Sequence, residues 1–294
     1  MKKGLKCPAP GKLVNVNGHD MHIFSEGQGD KTFVFMAGHG TACPTLDFKP
    51  MWSLLINKYK IAVVEKFGYG WSEITKRPRD LDTILTNTRE ALKLAGVDAP
   101  YVLVPHSLSG LEAIYWAQKY PQEVKAIIGL DPSVPDIADY MKLSLPLKLA
   151  IKLMAVLSRM GMSESAAVKA LKQNFPSFES TALTESDKTA FVEVFQRRTL
   201  TPDMLREMKD MPGNVKKIRE LPLPSDVPVC FFSSDFREAK KQGRNPDELL
   251  KFHRDFLACF KTSKHLELNC GHYVHSYEAE KIVDEMTSFV DCVV

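Results

Sequence analysis

Tyr101-Val102-Leu103-Val104-Pro105-His106-Ser107-Leu108-Ser109-Gly110 is the stretch on which the reading of this 294-residue chain turns. It opens as an unbroken apolar run, the pattern of a strand covered on both faces. Small residues follow, and then Ile114, Trp116, Ala117 and Tyr120 recur at helical spacing until Pro121. The same alternation extends both ways. Upstream, Thr32-Phe33-Val34-Phe35-Met36 and Ile61-Ala62-Val63-Val64 are buried-strand runs, and 80–95 has the spacing of a helix stopped by Gly96. Downstream, 124–130 is a further strand ending at Asp131-Pro132. Strands and helices alternating with short joints imply a parallel α/β sheet. Before them, 13–17 and 21–24 read as an antiparallel hairpin turned at Gly18-His19-Asp20.

The alternation stops near Pro135. From there to about Leu221 the pattern is helical, and strands resume with Val227-Pro228-Val229-Cys230-Phe231-Phe232 and His265-Leu266-Glu267-Leu268. A closing helix is expected around 282–290. The organisation implied is an α/β core of residues 1–135 and 223–294, with a helical cap inserted at 136–222. Within the insertion, 143–160 is apolar with Lys148, Lys152 and Arg159 on its polar side. A helix of that kind either packs on its own domain, the commoner case and the one expected here, or rests on a membrane surface.

Composition narrows the function classes. A hydrophobic share of 44% with 26% charged residues is that of an ordinary globular protein. The net charge of +3, without any Lys/Arg-rich run, argues against a nucleic-acid partner. Six cysteines (7, 43, 230, 259, 270 and 292) lack zinc-site spacing and read as reduced thiols. No stretch of 18 apolar residues marks an integral membrane segment, and the positive N-terminus lacks the apolar region of a signal peptide, so the cytoplasm is the expected compartment.

Chemistry points to Ser107. A serine on a tight strand-to-helix turn projects its hydroxyl above the sheet, and the turn needs small neighbours because strand and helix nearly touch. The usual G-x-S-x-G pattern is altered here to Pro105-His106-Ser107-Leu108-Ser109, with Gly110 next. His272 follows the last strand in Cys270-Gly271-His272-Tyr273-Val274-His275, where a general base is wanted. His106 and His275 read as packing residues. The backbone N–H of Leu108, and that of His39 in Gly38-His39-Gly40, are the candidates to face a developing oxyanion. Two aspartates are alternatives for the acid that orients His272: Asp131, 24 residues beyond Ser107, and Asp235, which follows the 229–232 strand at a spacing about two residues short. Asp131 is preferred.

These motifs resemble those of the α/β-hydrolase fold, in the group that includes proline iminopeptidase-like and esterase-like members. The matching stretches are Gly38-His39-Gly40, Phe67-Gly68-Tyr69-Gly70-Trp71-Ser72, His106-Ser107-Leu108-Ser109-Gly110, Gly129-Leu130-Asp131-Pro132 and Gly271-His272-Tyr273-Val274-His275. They occur in order over essentially the whole chain outside the insertion. The resemblance implies a mostly parallel central sheet flanked by helices. It also implies a serine hydrolase acting on a small-molecule ester or amide, esterase- or lipase-like or aminopeptidase-like, without cofactor or metal.

Several rivals are weaker. Ser107 at the elbow disfavours hydrolases with an aspartate nucleophile, such as epoxide hydrolases and dehalogenases. No G-x-G-x-x-G, P-loop or H-E-x-x-H pattern supports nucleotide or metal chemistry. A cofactor-free haloperoxidase or lyase could use the same residues. The alternative from another class is a small-molecule-binding protein on the same fold. The 143–160 stretch is expected to line a hydrophobic pocket, and Glu164, Glu179, Glu185, Asp187 and Glu193 are the insertion's carboxylates available to a substrate ammonium. Nothing in the sequence fixes an oligomeric state.

Overall fold

A computed structural model describes residues 4–141 and 145–294. Leu143, where the amphipathic stretch begins, lies outside the described residues, as do the first three residues of the chain.

Eight strands form one sheet: β1 (Lys12–Val16), β2 (His19–Glu26), β3 (Thr32–Met36), β4 (Lys60–Glu65), β5 (Tyr101–Pro105), β6 (Val124–Leu130), β7 (Val229–Ser233) and β8 (Ser263–Glu267). Their order is β1-β2-β4-β3-β5-β6-β7-β8. The β1–β2 and β2–β4 pairs are antiparallel, and every other pair is parallel. This is the mostly parallel sheet that the alternation of apolar runs implies.

The first hairpin is tighter than the sequence suggested. Val16 pairs with His19, leaving Asn17 (φ 53°) and Gly18 (φ 85°) as a two-residue turn with both positions left-handed. That geometry matches the twist of the flanking strands and suits Asn-Gly. His19 and Asp20 already belong to β2.

Alternation sorts each central strand between two cores. Val34 and Met36 of β3, with Leu103 of β5, join Trp116 on one face. Phe33, Phe35, Val102 and Val104 join Met286 and Phe289 of the closing helix (Ala279–Val293) on the other. The helix Leu81–Ala95 starts where the Asp80 carboxylate accepts the Thr83 N–H and stops at left-handed Gly96, as its sequence signals imply. Its neighbour on that face, Ser109–Lys119, runs directly out of the turn after β5.

Between β6 and β7 the described residues contain helices and no strand: Pro135–Tyr140, Leu145–Met160, Glu164–Asn174, Glu185–Arg198 and Pro202–Arg219, with a 3-10 turn at Pro176–Glu179. Leu171, Phe175, Phe178, Phe191 and Phe195 make an aromatic-rich cluster that closes over Ala42, Leu46 and Trp71 of the core. This segment therefore lies over the loops at the C-terminal ends of β3 and β4.

Candidate active site

β5 carries the chain to a turn held from both sides. The His106 N–H donates to Met36 O (2.9 Å) and the Ser107 N–H to Leu130 O (3.2 Å). Ser107 itself is left-handed, with φ 54°, a conformation that costs a non-glycine residue about 1–3 kcal/mol. Its carbonyl accepts the N–H groups of Gly110 (2.9 Å) and Ser133 (2.7 Å), which fix the turn.

The departures from G-x-S-x-G have a steric reason. Pro105 is the buried last residue of β5, and the close approaches fall at other glycines. A Cβ on Gly38 would lie 2.7 Å from Ser107 Cβ, and one on Gly110 would lie 2.5 Å from Ser133 O. Ser109 is buried, but its hydroxyl sits 2.6 Å from Met36 O and 2.8 Å from His106 O. The closest packing of this turn therefore falls at Gly38 and Gly110.

His272 Nε2 lies 2.8 Å from Ser107 Oγ, and its Nδ1 lies 2.6 Å from Asp131 Oδ2. Because a carboxylate only accepts, Nδ1 carries the proton and Nε2 is free to accept from the serine. Asp131 is left-handed (φ 46°), and its N–H donates to Phe232 O (2.7 Å) at the end of β7. The Ser234 N–H (2.9 Å) and hydroxyl (2.7 Å) donate to its carboxylate. Burial pushes the Asp131 carboxyl up, but the His272 hydrogen bond and charge outweigh it and hold it below the usual range. Burial likewise lowers His272, and the Asp131 hydrogen bond and charge more than reverse that, so the imidazole lies above its ordinary value.

Asp235 is elsewhere engaged. Arg237 Nε lies 2.9 Å from both of its carboxylate oxygens, and the Arg237 N–H donates to Oδ1 (3.0 Å). Of the two alternative acids, Asp131 is the one that reaches His272.

His39 and Leu108, with Ser107, line a cavity of about 500 Å³. Neither backbone N–H donates to another backbone carbonyl among the described residues. Burial holds the His39 imidazole below its ordinary value. His106 and His275 are buried behind the site. His106 Nε2 lies 3.1 Å from the His272 carbonyl, and His275 Nε2 lies 3.0 Å from Asp47 Oδ2.

The apolar wall of the cavity comes from Ile137, Met141, Met208, Met211, Phe236 and Leu249. The expectation that 143–160 lines it is not met. No described residue of that stretch reaches the cavity, because its large apolar side chains point outward instead. The insertion's carboxylates are also absent from it. Glu179 pairs with Lys172 (3.2 Å), Glu185 with Lys188 (3.0 Å) and Asp187 with Lys49 (2.8 Å). Glu193 accepts the Lys6 and Cys7 N–H groups, and Glu164 is exposed.

No protein-family model matches the sequence. The uncharacterized protein YbdG of Bacillus subtilis (strain 168) is 34% identical over 289 residues, which cover 96% of this chain and 86% of YbdG. The chain belongs to the YbdG family. Among solved structures, the Bacillus megaterium epoxide hydrolase in complex with an inhibitor superposes with a TM-score of 0.70 at 16% identity, over 95% of this chain and 100% of that one. A haloalkane dehalogenase loop variant, DbeA-M1 from Bradyrhizobium elkanii, gives 0.67 at 16% identity over 96% of each chain. These likenesses establish that this YbdG-family chain has the α/β-hydrolase fold.

Two features of this family member carry no sequence signal. Glu238, on the short helix Arg237–Lys241, lines the cavity, and its buried Oε2 has no hydrogen-bond partner among the described residues. Its charge adds to that of Asp131 in raising His272. Gly271 lies against it: a Cβ there would lie 2.5 Å from Glu238 Oε1. The second feature is a buried ionic cluster below His39. Glu207 of the Pro202–Arg219 helix accepts from Arg79 Nη2 (2.6 Å), Lys66 Nζ (3.0 Å) and the Tyr69 hydroxyl (3.0 Å), and Lys66 also pairs with Glu112. Glu207 Oε1 lies 4.0 Å from His39 Nδ1. Residues 39, 66, 79, 112 and 207 have no common spacing, so only the folded chain brings them together.

Proposed function

We propose that this protein is a serine hydrolase that cleaves an ester or amide bond of a small, partly hydrophobic substrate through an acyl-enzyme. The observation that carries the reading is the continuous chain of short contacts from Ser107 Oγ through the His272 ring to the buried Asp131 carboxylate, opening on a cavity with a mainly apolar wall. In this reading Ser107 attacks the carbonyl carbon while His272 Nε2 takes the hydroxyl proton. Asp131 keeps the imidazole in the required tautomer and stabilises the imidazolium. The N–H groups of Leu108 and His39 face the oxyanion. His272 then protonates the leaving group, and water releases the acyl group by the same steps in reverse.

The neighbours in fold include an epoxide hydrolase, a haloalkane dehalogenase and a serine hydrolase involved in carbazole degradation. Displacement at a saturated carbon through an ester intermediate needs a carboxylate at the elbow, and this elbow carries Ser107, which favours acyl transfer. Segment 136–222 is read as a cap over the substrate: Met141, Met208 and Met211 come from it, and Met is an adaptable lining for varied acyl chains. Glu238 favours substrates with a cationic group near the scissile bond, as an aminoacyl amide or ester has.

The test is labelling with a fluorophosphonate, with the modified peptide mapped by mass spectrometry and Ser107→Ala alongside. Modification at Ser107 that vanishes in the variant supports the proposal. Failure of the folded wild-type protein to label moves a ligand-binding role on the same fold to first place.

A further inference from the structure

The helix Leu145–Met160 turns its apolar face away from the protein. Leu147, Leu149, Leu153, Met154, Val156, Leu157 and Met160 are 41–80% exposed, and they make up seven of the fourteen exposed large apolar side chains among the described residues. At 3.6 residues per turn those seven positions fall within about half of the helix circumference. Of the helix's described side chains only Ala155 and Ser158 are buried, and the Ser158 hydroxyl, 3.4 Å from Thr199 O, ties it to the end of the helix Glu185–Arg198. Contiguous apolar surface of this extent marks an interaction site.

Charge and composition select the occupant. From 140 to 163 the sequence holds Lys142, Lys148, Lys152 and Arg159 and no Asp or Glu, although the chain has 36 acidic residues in all. Lys152 is exposed. The exposed face is wholly aliphatic and methionine, without the Tyr and Trp anchors typical of protein interfaces. Sixteen residues are too few to span a bilayer, which takes about 20, and no helix among the described residues is long and apolar enough to cross one. An amphipathic helix with a basic side and an aliphatic face lies in the plane of a lipid surface.

We propose that Leu145–Met160 seats this protein on an anionic lipid surface, with its exposed Leu, Val and Met side chains among the acyl chains and Lys152 at the headgroup phosphates. Met141, shortly before the helix, lines the cavity, so the seated protein would draw its substrate from the bilayer. That consequence rests on the hydrolase reading; the docking does not.

Co-sedimentation with sucrose-loaded vesicles tests it, using pure phosphatidylcholine and a 70:30 mixture (roughly, by mole) of phosphatidylcholine and phosphatidylserine, a range over which surface charge is the main variable. The wild-type protein is expected to pellet with the anionic vesicles, less with the neutral ones, and less as salt rises. Each basic side chain near such a surface changes partition by about fivefold, so the combined Lys148→Gln, Lys152→Gln and Arg159→Gln variant is expected to lose on the order of a hundredfold. Leu149→Glu, Leu153→Glu and Leu157→Glu together are expected to reduce pelleting to the lipid-free level, with an unchanged thermal transition by circular dichroism. Ser107→Ala is expected to pellet like wild type, which separates this result from failure of the hydrolase reading. Wild-type protein that stays in solution with both vesicles overturns the proposal. So does a lipid-free dimer, by light scattering, that the glutamate variant converts to monomer, because the face is then covered by a second copy.

Discussion

Replacing Glu207 by glutamine isolates the buried ionic cluster that joins the insertion to the core. Glu207, Lys66, Arg79 and Glu112 are each less than a tenth exposed, and together they place two basic and two acidic side chains out of water. The glutamine keeps the volume but removes one anion, leaving a net positive charge out of water. Its amide also turns one acceptor into a donor, facing Arg79, Lys66 and Tyr69, all of which donate to Glu207. A single charge pair at about 4 Å is worth about 4 kcal/mol at an effective dielectric near 20. Measured costs of breaking a buried pair run to about 3–5 kcal/mol, and we expect a loss in that range. At about 2–4 °C per kcal/mol for a domain of this size, the transition midpoint should fall by about 10 °C. Differential scanning calorimetry at pH 7 is the assay, with Glu185→Gln, a 91% exposed position, as control. The pH dependence gives a second reading. Burial raises the Glu207 carboxyl, but the charges of Lys66 and Arg79 outweigh it and hold it well below the usual range. A depressed carboxyl stabilises the fold above its unfolded value, about 4.3, and loses that contribution as pH falls through the folded value. The gap between wild type and variant should therefore be full at neutral pH and narrow below about pH 4. A midpoint within a degree or two of the control at pH 7 would show that the Glu207 charge does not hold this cluster together.

Three further outcomes follow from the site. His272 is raised above its ordinary value and must be neutral to accept the Ser107 proton. The rate of Ser107 modification should thus climb with pH along a limb centred above about 6.5, and a limb centred below it would count against the Asp131–His272 pairing. Glu238→Gln removes one of the charges that raise His272 and should move that limb to lower pH, while leaving fluorophosphonate labelling intact; an unmoved limb would show that Glu238 does not act on the imidazole. Gly110→Ala forces a methyl to within 2.5 Å of Ser133 O. Overpacking of that kind costs about 1–3 kcal/mol, and labelling should fall with the displaced elbow; wild-type stability and labelling would mean the turn is less tightly held than its contacts imply.

How much of this was legible beforehand varies by residue for physical reasons. The sheet was, because β3, β4, β5 and β7 are buried along nearly their whole length and so read as apolar runs. Ser107 stood out because it follows the end of such a run, and His272 because it follows the last strand just ahead of the closing helix. The choice between Asp131 and Asp235 could not be made from spacing. It depends on β6 and β7 lying side by side, so that Phe232 O and Ser234 hold Asp131 beneath the imidazole while Arg237 draws Asp235 aside. The helical period of 143–160 announced a helix but not which way its apolar face turns, since periodicity is the same for a buried and an uncovered stripe. Glu207 and Glu238 were invisible: an acidic residue on a helix usually faces water, and only tertiary packing turns these two inward.

The most direct test of the proposed site compares fluorophosphonate modification rates in wild type, Asp131→Asn and Asp235→Asn. An asparagine at the acid position disturbs the imidazole tautomer, and in a well-studied serine protease this change slows the reaction about 10⁴-fold. The expected result is a loss of that order in Asp131→Asn, with the rate of Asp235→Asn close to wild type, since Asp235 pairs with Arg237 and not with His272. Near-wild-type modification in Asp131→Asn, with the loss in Asp235→Asn instead, would contradict the chain of contacts through His272 on which the proposed mechanism stands.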